Sequence, residues 1–200
     1  MTDAHDDLKA AQASGFKTPS LAMHDPLTGL PNPELFADRL MIAISLAKRN
    51  GWFLAVMFIN LDRFKSFNEA HGQDVGDAAL HALASRLSLR ARGGDTVSRI
   101  GDDELLYLLV NPDGRENIRR VAQRVRDRLL QPVVIDTREL VVAPRIGIAV
   151  YPDDGVGVET LTEHARVAMR QARSRNLNYM FFEIDEKTSA HSDAVALADG

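Results

Sequence analysis

Hydrophobic residues along this chain follow strand-like and helical patterns in turn. The apolar run FLAVMFINL at 53–61 has the length of a strand and predicts a central strand that is buried on both faces. Before it, Asn32 and Pro33 are typical of a helix start, and Gly51 is typical of a helix end. The other predicted elements are a short helix within 62–72, a longer helix with Leu80, Leu83, Ala84 and Leu87 on one face, strands at 96–100 and 104–110, a helix at 115–130, strands at 133–139 and 140–150, a helix at about 158–175 and a strand at 179–183.

A hairpin in the middle of the chain decides the predicted fold class. Gly101, Asp102 and Asp103 separate two strands, and this short polar segment is typical of a tight antiparallel connection. Strands and helices otherwise alternate. We therefore expect an α+β fold with helices layered on a mostly antiparallel sheet, and a wholly parallel doubly wound sheet is the alternative.

Composition narrows the class of protein without identifying a function. The chain has 200 residues, no cysteine and a formal net charge of −4, which argues against a disulfide scaffold, a thiolate metal site and a nucleic-acid partner. No apolar run reaches membrane-spanning length, and the start lacks a signal-peptide pattern. We expect a cytoplasmic protein with a leader at 1–24, one compact domain at 25–183 and a flexible tail at 184–200.

Two acidic segments follow predicted strands and are candidates for a metal site. Asn60-Leu61-Asp62 ends the 53–61 strand, and Asp102-Asp103-Glu104 lies at the hairpin. If the two strands are neighbours, oxygen ligands converge at one sheet edge, as Mg²⁺ requires. The alternative is that acidic residues simply populate turns.

The segment between the two acidic clusters has the residue types of a nucleotide site. Lys65 can contact a phosphate as a point charge, and Asn68 can read the edge of a base. The alternative is a solvated amphipathic turn.

The order of five motifs is similar to that of GGDEF domains, the diguanylate cyclase family. These motifs are HDPLTGLPN at 24–32, NLDRFKSFNE at 60–69, GQDVGD at 72–77, RIGDDEL at 99–105 and IGIAVYPDDG at 146–155. The last one looks most like the variant that precedes phosphodiesterase domains in longer chains. Together they cover nearly the whole of 25–183.

The resemblance implies a palm-like fold and signalling through cyclic di-GMP. In active members each of two facing domains holds one GTP and two Mg²⁺ ions, and each 3′-hydroxyl attacks the other α-phosphate and releases pyrophosphate. The implied partners are therefore GTP or cyclic di-GMP and a homodimer or another signalling domain. Carried over, the metal positions are Asn60, Leu61 and Asp103; the substrate positions are Lys65, Asn68, Asp77, Gly101, Asp102 and Arg173; and the catalytic positions are Lys65, Asp103 and Glu104.

Two departures from the family pattern fall on the motifs themselves. The family's first metal-binding aspartate is Asn60 here, whose amide brings no negative charge to Mg²⁺. A unit charge at about 4 Å is worth ~4 kcal/mol at a surface-like dielectric, so a loss of ~3 kcal/mol slows turnover about a hundredfold. The second motif glycine is Asp102, whose carboxylate crowds the nucleotide, although aspartate tolerates a left-handed turn.

Further departures surround these two. Gln73 replaces a histidine, Arg145 a serine, Arg170 a tyrosine, Leu177 an arginine and Leu105 the final aromatic, whereas Arg173 keeps the charge of a phosphate-contacting lysine. Asp77 is retained, but it also fits a helix cap. These changes indicate damaged metal and phosphate handling beside retained guanine contacts.

A second site of the family is better preserved. Arg92 and Asp95 have the R-x-x-D spacing of the inhibitory cyclic di-GMP site and precede Gly101 at the family's offset. Arginine can form paired bonds with guanine or phosphate, and aspartate accepts from guanine N–H groups. The alternative is a turn aspartate beside an exposed arginine.

Three functions remain open from the sequence. The first is a catalytically degenerate GGDEF domain that binds guanine nucleotide or cyclic di-GMP and regulates a partner. The second is an active diguanylate cyclase with a weak Mg²⁺ site. The third is a protein-interaction module that binds no nucleotide. Lys65, Asn68, Asp77, Asp103 and Glu104 are all retained. The first function is favoured, because the guanine contacts are kept whereas the positions that handle the metal and the phosphates are altered.

Overall fold

The computed structural model describes residues 22–183, which form five helices and two sheets. The helices are α1 (Pro33–Asn50), α2 (Phe64–His71), α3 (Gln73–Ser88), α4 (Gly114–Leu129) and α5 (Val158–Ser174). The strands are β1 (Leu54–Leu61), β2 (Thr96–Arg99), β3 (Glu104–Val110), β4 (Val133–Ile135), β5 (Arg138–Leu140), β6 (Pro144–Tyr151) and β7 (Tyr179–Phe181).

The central sheet has the order β2-β3-β1-β6-β7. All its neighbouring strands are antiparallel except β6 and β7, which run parallel. Every residue of β1 is buried, because strands lie on both of its edges and helices on both of its faces. The α+β prediction is confirmed, and the parallel alternative is wrong.

Alternation along β1 sends its side chains to two hydrophobic cores. On one face of β1, the side chains that include Phe58 pack with residues of α1 and α5, such as Phe36 and Leu161. Met57 and the opposite face pack with residues of α3 and α4, including Leu83. Helices therefore cover both faces of the sheet. The end of β1 and the start of β3 lie next to each other at one edge of it.

Helix α1 begins and ends at the residues that the sequence predicted. The Asn32 side chain accepts a hydrogen bond from the Leu35 N–H at 2.9 Å, which satisfies an otherwise unpaired donor at the start of α1. Gly51 ends α1 in the left-handed conformation at φ 67°. No helix within 22–183 is both long and apolar enough to cross a membrane.

The two strands predicted at 133–139 and 140–150 are wrong in their bounds. The structure has a separate small hairpin, in which β4 pairs with β5, and β6 starts only at Pro144. Asp136 turns the chain with a left-handed φ of 56°, a conformation that aspartate tolerates better than most residues. Proline lacks the N–H of a ladder residue, which suits the first position of a strand.

Both predicted end segments lie mainly outside the described residues, namely 1–21 of the leader and all of the 184–200 tail. Within the described part, the carbonyl of Met23 accepts a hydrogen bond from the Asn32 N–H at 2.9 Å. The backbones of His24 and Pro31 pair in an isolated antiparallel β-bridge.

Gly147 of β6 sets how closely α5 approaches the sheet. A Cβ at this position would lie 2.0 Å from the Ala165 carbonyl oxygen and 2.1 Å from the Met169 backbone nitrogen. Both obstacles are backbone atoms, so only a shift of the whole helix could relieve the clash. Glycine thus lets α5 lie directly on the sheet beside the end of β1.

We expect Gly147→Ala to lower the free energy of unfolding by about 3 kcal/mol, because overpacking forces helix and sheet apart. Chemical denaturation measures the change. Gly93→Ala is the matched control, since a Cβ there meets open space, and its stability is expected to be unchanged or higher by at most about 1 kcal/mol. An equal loss in both variants would contradict the close-approach explanation.

Candidate functional site

Strand register brings the predicted site residues to one edge of the sheet. Asn60 lies opposite Glu104 of β3 and opposite Arg145 of β6, so the three side chains share one face. The Leu61 N–H donates to the Asp103 carbonyl at 2.9 Å. The two acidic segments singled out in the sequence are therefore neighbours.

Two arginines cover the polar end of β1. Arg173, in the last turn of α5, donates to Oδ1 of Asn60 and, at 3.1 Å, to Oδ1 of Asp62. Arg145 donates from Nε to Oδ2 of Asp62 at 2.6 Å. The amide oxygen of Asn60 and both carboxylate oxygens of Asp62 are thus bonded to guanidinium groups.

Arg145 also connects this site to the turn that follows α5. Its Nη1 donates to the Leu177 carbonyl at 2.6 Å and its Nη2 to the Asn176 amide oxygen at 3.0 Å. Sequence reasoning treated Arg145 only as a departure from the family pattern. The missed signal is a cation placed in a strand whose other residues are almost all apolar.

The residues at the end of β1 do not fit the Mg²⁺ ions that the resemblance implied. Such an ion requires a near-octahedral set of oxygen ligands at about 2.0–2.1 Å. The Asn60 oxygen already accepts from a cation, and Asn60 itself is an amide that is 5% exposed. Among residues 22–183, no group of three or more histidine, cysteine or acidic side chains is placed to hold a metal ion.

A cavity of about 690 Å³ lies between α2, α3 and the β2–β3 hairpin. Of the residues proposed from the sequence, Lys65, Asn68, Asp102 and Asp103 line it. Gly101 lines a neighbouring cavity of about 460 Å³, which Asp102 shares. Asp77 and Arg173 lie outside the lining of both cavities.

Gln73 links the two residues proposed to read a base. Its Nε2 donates to Oδ1 of Asp77 at 2.9 Å, and its Oε1 accepts from Nδ2 of Asn68 at 3.4 Å. Oδ1 of Asn68 is buried and has no hydrogen-bond partner. Asp77 lies inside α3, whose N-cap is Gly72, so the helix-cap alternative is wrong.

Gly76 provides the space that the Asn68 side chain occupies. A Cβ at Gly76 would lie 1.9 Å from Oδ1 of Asn68. The glycine of the 72–77 motif therefore serves the packing of the amide at the cavity wall.

Arg99 holds the β2–β3 hairpin in place. Its guanidinium donates to the Asp102 carbonyl at 3.1 Å and to both carboxylate oxygens of Asp25 at 3.2 Å. Burial opposes ionisation of Asp25, yet hydrogen bonds from Thr28 and Arg99 outweigh it and lower the pKa of Asp25. Aspartate at position 102 would tolerate a left-handed turn, but the φ of Asp102 is not positive, so the turn does not use that tolerance.

The surroundings of Glu104 disfavour the charged form of its carboxyl group. Burial raises the pKa of Glu104 above its ordinary value of 4.5, and the neighbouring Asp103 raises it further, whereas Arg166 and Arg173 act in the opposite direction. A carboxylate at this position is therefore unfavourable for folding, as is common in functional sites.

Arg92 and Asp95 lie on a separate surface beside α4. Oδ2 of Asp95 accepts from the Tyr107 hydroxyl at 3.1 Å and from the Arg92 backbone N–H at 3.3 Å, and Oδ1 accepts from the Val110 N–H at 3.1 Å. Burial, followed by the Asp95 charge, raises the pKa of Tyr107, which keeps its hydroxyl as the donor. Asp95 thus supports the turn that contains Arg92.

Four arginines surround this second surface. A small cavity of about 100 Å³ is lined by Asp95 and Tyr107 together with Arg90, Arg92, Arg124 and Arg128. The two arginines from α4 were not singled out in the sequence, because six arginines at 115–128 resembled an ordinary solvated face. Their helical spacing of four residues was the available signal.

Comparison with known proteins gives consistent matches. The family described as "Diguanylate cyclase, GGDEF domain" matches residues 22–179. Over 182 residues, 90% of this chain, the sequence is 38% identical to the bifunctional diguanylate cyclase/cyclic di-GMP phosphodiesterase MucR of Pseudomonas aeruginosa, of which it covers 26%. It is 34% identical over 165 residues, 81% of this chain, to the cyclic di-GMP phosphodiesterase NbdA of the same organism, of which it covers 21%.

A solved structure agrees with these sequence matches. The GGDEF domain of TpbB from Pseudomonas aeruginosa is similar with a TM-score of 0.79 and 31% identity, over 84% of this chain and 99% of that one. Against the full-length relatives MucR and NbdA, the chain spans about a quarter of their length.

We expect Glu104→Gln to raise the free energy of unfolding at neutral pH, because it removes a charge that burial disfavours. A raised folded-state pKa means that the cost arises as the pH increases through and above 4.5. The difference between variant and wild type should therefore vanish below that pH. Denaturation at several pH values measures it, with the exposed Glu139→Gln as control, and an equal gain in the control would contradict the role of burial.

Proposed function

Because this chain belongs to the GGDEF domain family of diguanylate cyclases, we propose that it is a catalytically degenerate member that binds guanine nucleotide or cyclic di-GMP. In this role it acts as a regulatory module, either as a homodimer or on an attached or separate signalling domain. One observation carries the proposal: Lys65, Asn68, Asp102 and Asp103 line one cavity, whereas the oxygens at the end of β1 are bonded to arginines.

The cavity supports recognition of a guanine base. Asn68 at the cavity wall offers an amide, and Asp77, joined to it through Gln73, offers a carboxylate oxygen just outside the lining. Guanine presents N–H donors on the edge that such acceptors bind. Oδ1 of Asn68 has no donor within the described part of the chain, but it is packed against Gly76, so a guanine N–H binds it only after the amide has rotated toward the cavity. Lys65 at the cavity wall supplies a cation for phosphate.

The surroundings of Asn60 support loss of the chemical step. Phosphoryl transfer depends on cations that neutralise the charge developing on the phosphate. Here Arg145 and Arg173 are bonded to Asp62 and Asn60, and Asp102 adds a negative charge to the cavity wall. Lys65, Asp103 and Glu104 remain, but the divalent cation that the reaction needs beside them is then missing.

The names of two relatives are compatible with a domain that binds nucleotide without being a cyclase. MucR is named for both cyclase and phosphodiesterase activity, whereas NbdA, which contains a matching segment, is named as a phosphodiesterase alone. A segment of this family can therefore occur in a protein that is not named a cyclase.

The second surface supports binding of cyclic di-GMP at Arg92 and Asp95. Cyclic di-GMP carries two phosphates and two guanines, and four arginines line the small cavity there. A guanidinium can pair with a phosphate or with the O6 and N7 atoms of guanine. Asp95 already accepts three hydrogen bonds from the chain, so we assign most of the affinity to Arg92.

We expect the wild-type chain to form little or no cyclic di-GMP from GTP with Mg²⁺ or Mn²⁺. Turnover should be at least about a hundredfold below that of the diguanylate cyclase TpbB assayed in parallel. Asn60→Asp together with Asp102→Gly should raise product formation more than either change alone, because each repairs a different defect.

Chromatography of the products measures this, and Asp103→Ala added to the double variant is the control that should abolish any gain. Wild-type turnover comparable to that of TpbB would show that the degenerate assignment is wrong.

We expect Arg92→Ala to weaken cyclic di-GMP binding by about tenfold to a hundredfold, since charge-assisted bonds are worth ~1.5–3 kcal/mol each. Asp95→Asn should weaken it less, because the amide oxygen still accepts. Titration calorimetry measures both. Lys65→Ala and the exposed Arg120→Ala are the controls that should leave the affinity unchanged.

Thermal unfolding of each variant is needed beside the titration, because Asp95 also holds the turn. Absence of heat from the folded wild type at ~100 μM cyclic di-GMP, about −5.5 kcal/mol on the affinity scale, would defeat this assignment.

A further inference from the structure

Two guanidinium groups contact the single carboxylate at the end of β1. Asp62 contributes one carboxylate, and its side chain is only 18% exposed. Arg145 contacts its Oδ2 at 2.6 Å, and Arg173 contacts its Oδ1 at 3.1 Å. Two guanidinium groups together carry the formal charge of one divalent cation.

Arg173 contacts the oxygens in the way that a bridging cation would. A single nitrogen, Nη2, donates to Oδ1 of Asn60 and to Oδ1 of Asp62. Both acceptors would otherwise be available as oxygen ligands for a hard metal ion. An incoming ion would have to displace the guanidinium from both, and it would gain an uncharged amide as one of its ligands.

Arg145 is held so that it cannot easily leave. Its side chain is 19% exposed, and three of its nitrogens donate to Asp62, Leu177 and Asn176. Displacing it from Asp62 would therefore strain contacts on the turn that follows α5. Arg173, in contrast, is half exposed, so part of its guanidinium faces solvent.

We propose that Arg145 and Arg173 replace the divalent cation at the end of β1, so that this site binds no Mg²⁺ and guanine nucleotide binds without a divalent metal. The first part stands on the geometry alone, and the second rests on the proposed function. The solvent-facing part of Arg173 is the group available to a nucleotide phosphate, because guanidinium binds phosphate oxygens without an intervening ion.

Binding of Mn²⁺ to the chain without nucleotide tests the first part. Electron paramagnetic resonance counts free Mn²⁺, and the wild type should bind none specifically at ~1 mM, a weak-site concentration. The Asn60→Asp/Arg173→Ala variant should gain at least tenfold in Mn²⁺ affinity. Arg170→Ala is the matched control, because this arginine lies one turn earlier on α5 and pairs with Glu163 at 3.1 Å.

Two results would overturn the first part. One is wild-type Mn²⁺ binding that Asp62→Asn abolishes. The other is a double variant that remains folded by circular dichroism but gains no Mn²⁺ affinity over the wild type, since the arginines would then not be what excludes the ion.

Titration calorimetry with GTP, in EDTA and in ~5 mM MgCl₂, tests the second part. The dissociation constants should agree within about threefold, and Arg173→Ala should weaken binding in EDTA at least tenfold. Binding that requires Mg²⁺ would overturn the proposal. An absence of binding in both buffers would defeat nucleotide binding at this site, while the Mn²⁺ experiment would still decide whether arginines replace the ion.

Discussion

Antiparallel pairing of β1 with a strand on each side is the constraint on which the rest of this structure depends. It fixes Asn60 between Glu104 and Arg145. Because side chains alternate along a strand, a slip of one residue in either pairing would move Asn60 to the opposite core. The burial of the other β1 residues makes such a slip unfavourable, so the hydrophobic cores determine the geometry of the polar end.

The polar end of β1 shows how a charged site can be rebuilt when one carboxylate is lost. The guanidinium of Arg173 approaches the strand end and donates to the uncharged amide of Asn60. Asp62 is then the carboxylate that the two arginines neutralise there. Such an approach is favourable because Asp62 is largely removed from water, and an unpaired charge there would be costly. The substitution at position 60 and the two arginines are thus parts of one electrostatic arrangement.

Much of the fold could be predicted from the sequence, because local rules determine it. The largely apolar β1, the Asn32 cap and the hairpin at 101–103 each depend on residues close together in the chain. The β4–β5 hairpin was missed because Asp136 supplies its left-handed turn without a neighbouring glycine. The contact of Arg145 with Asp62 was missed because it joins residues 83 positions apart, and no local pattern reports it.

The residues that meet at this site are far apart in the sequence, and this determines when the site can form during synthesis. The bond between Arg173 and Asn60 spans 113 residues, and β1 has to wait for β6 before its second edge is covered. Non-local pairing of this kind is formed late, since closing long loops is entropically costly. A ribosome-bound chain that has not yet released α5 therefore has most of the sheet but lacks the helix that supplies Arg173 to the polar end.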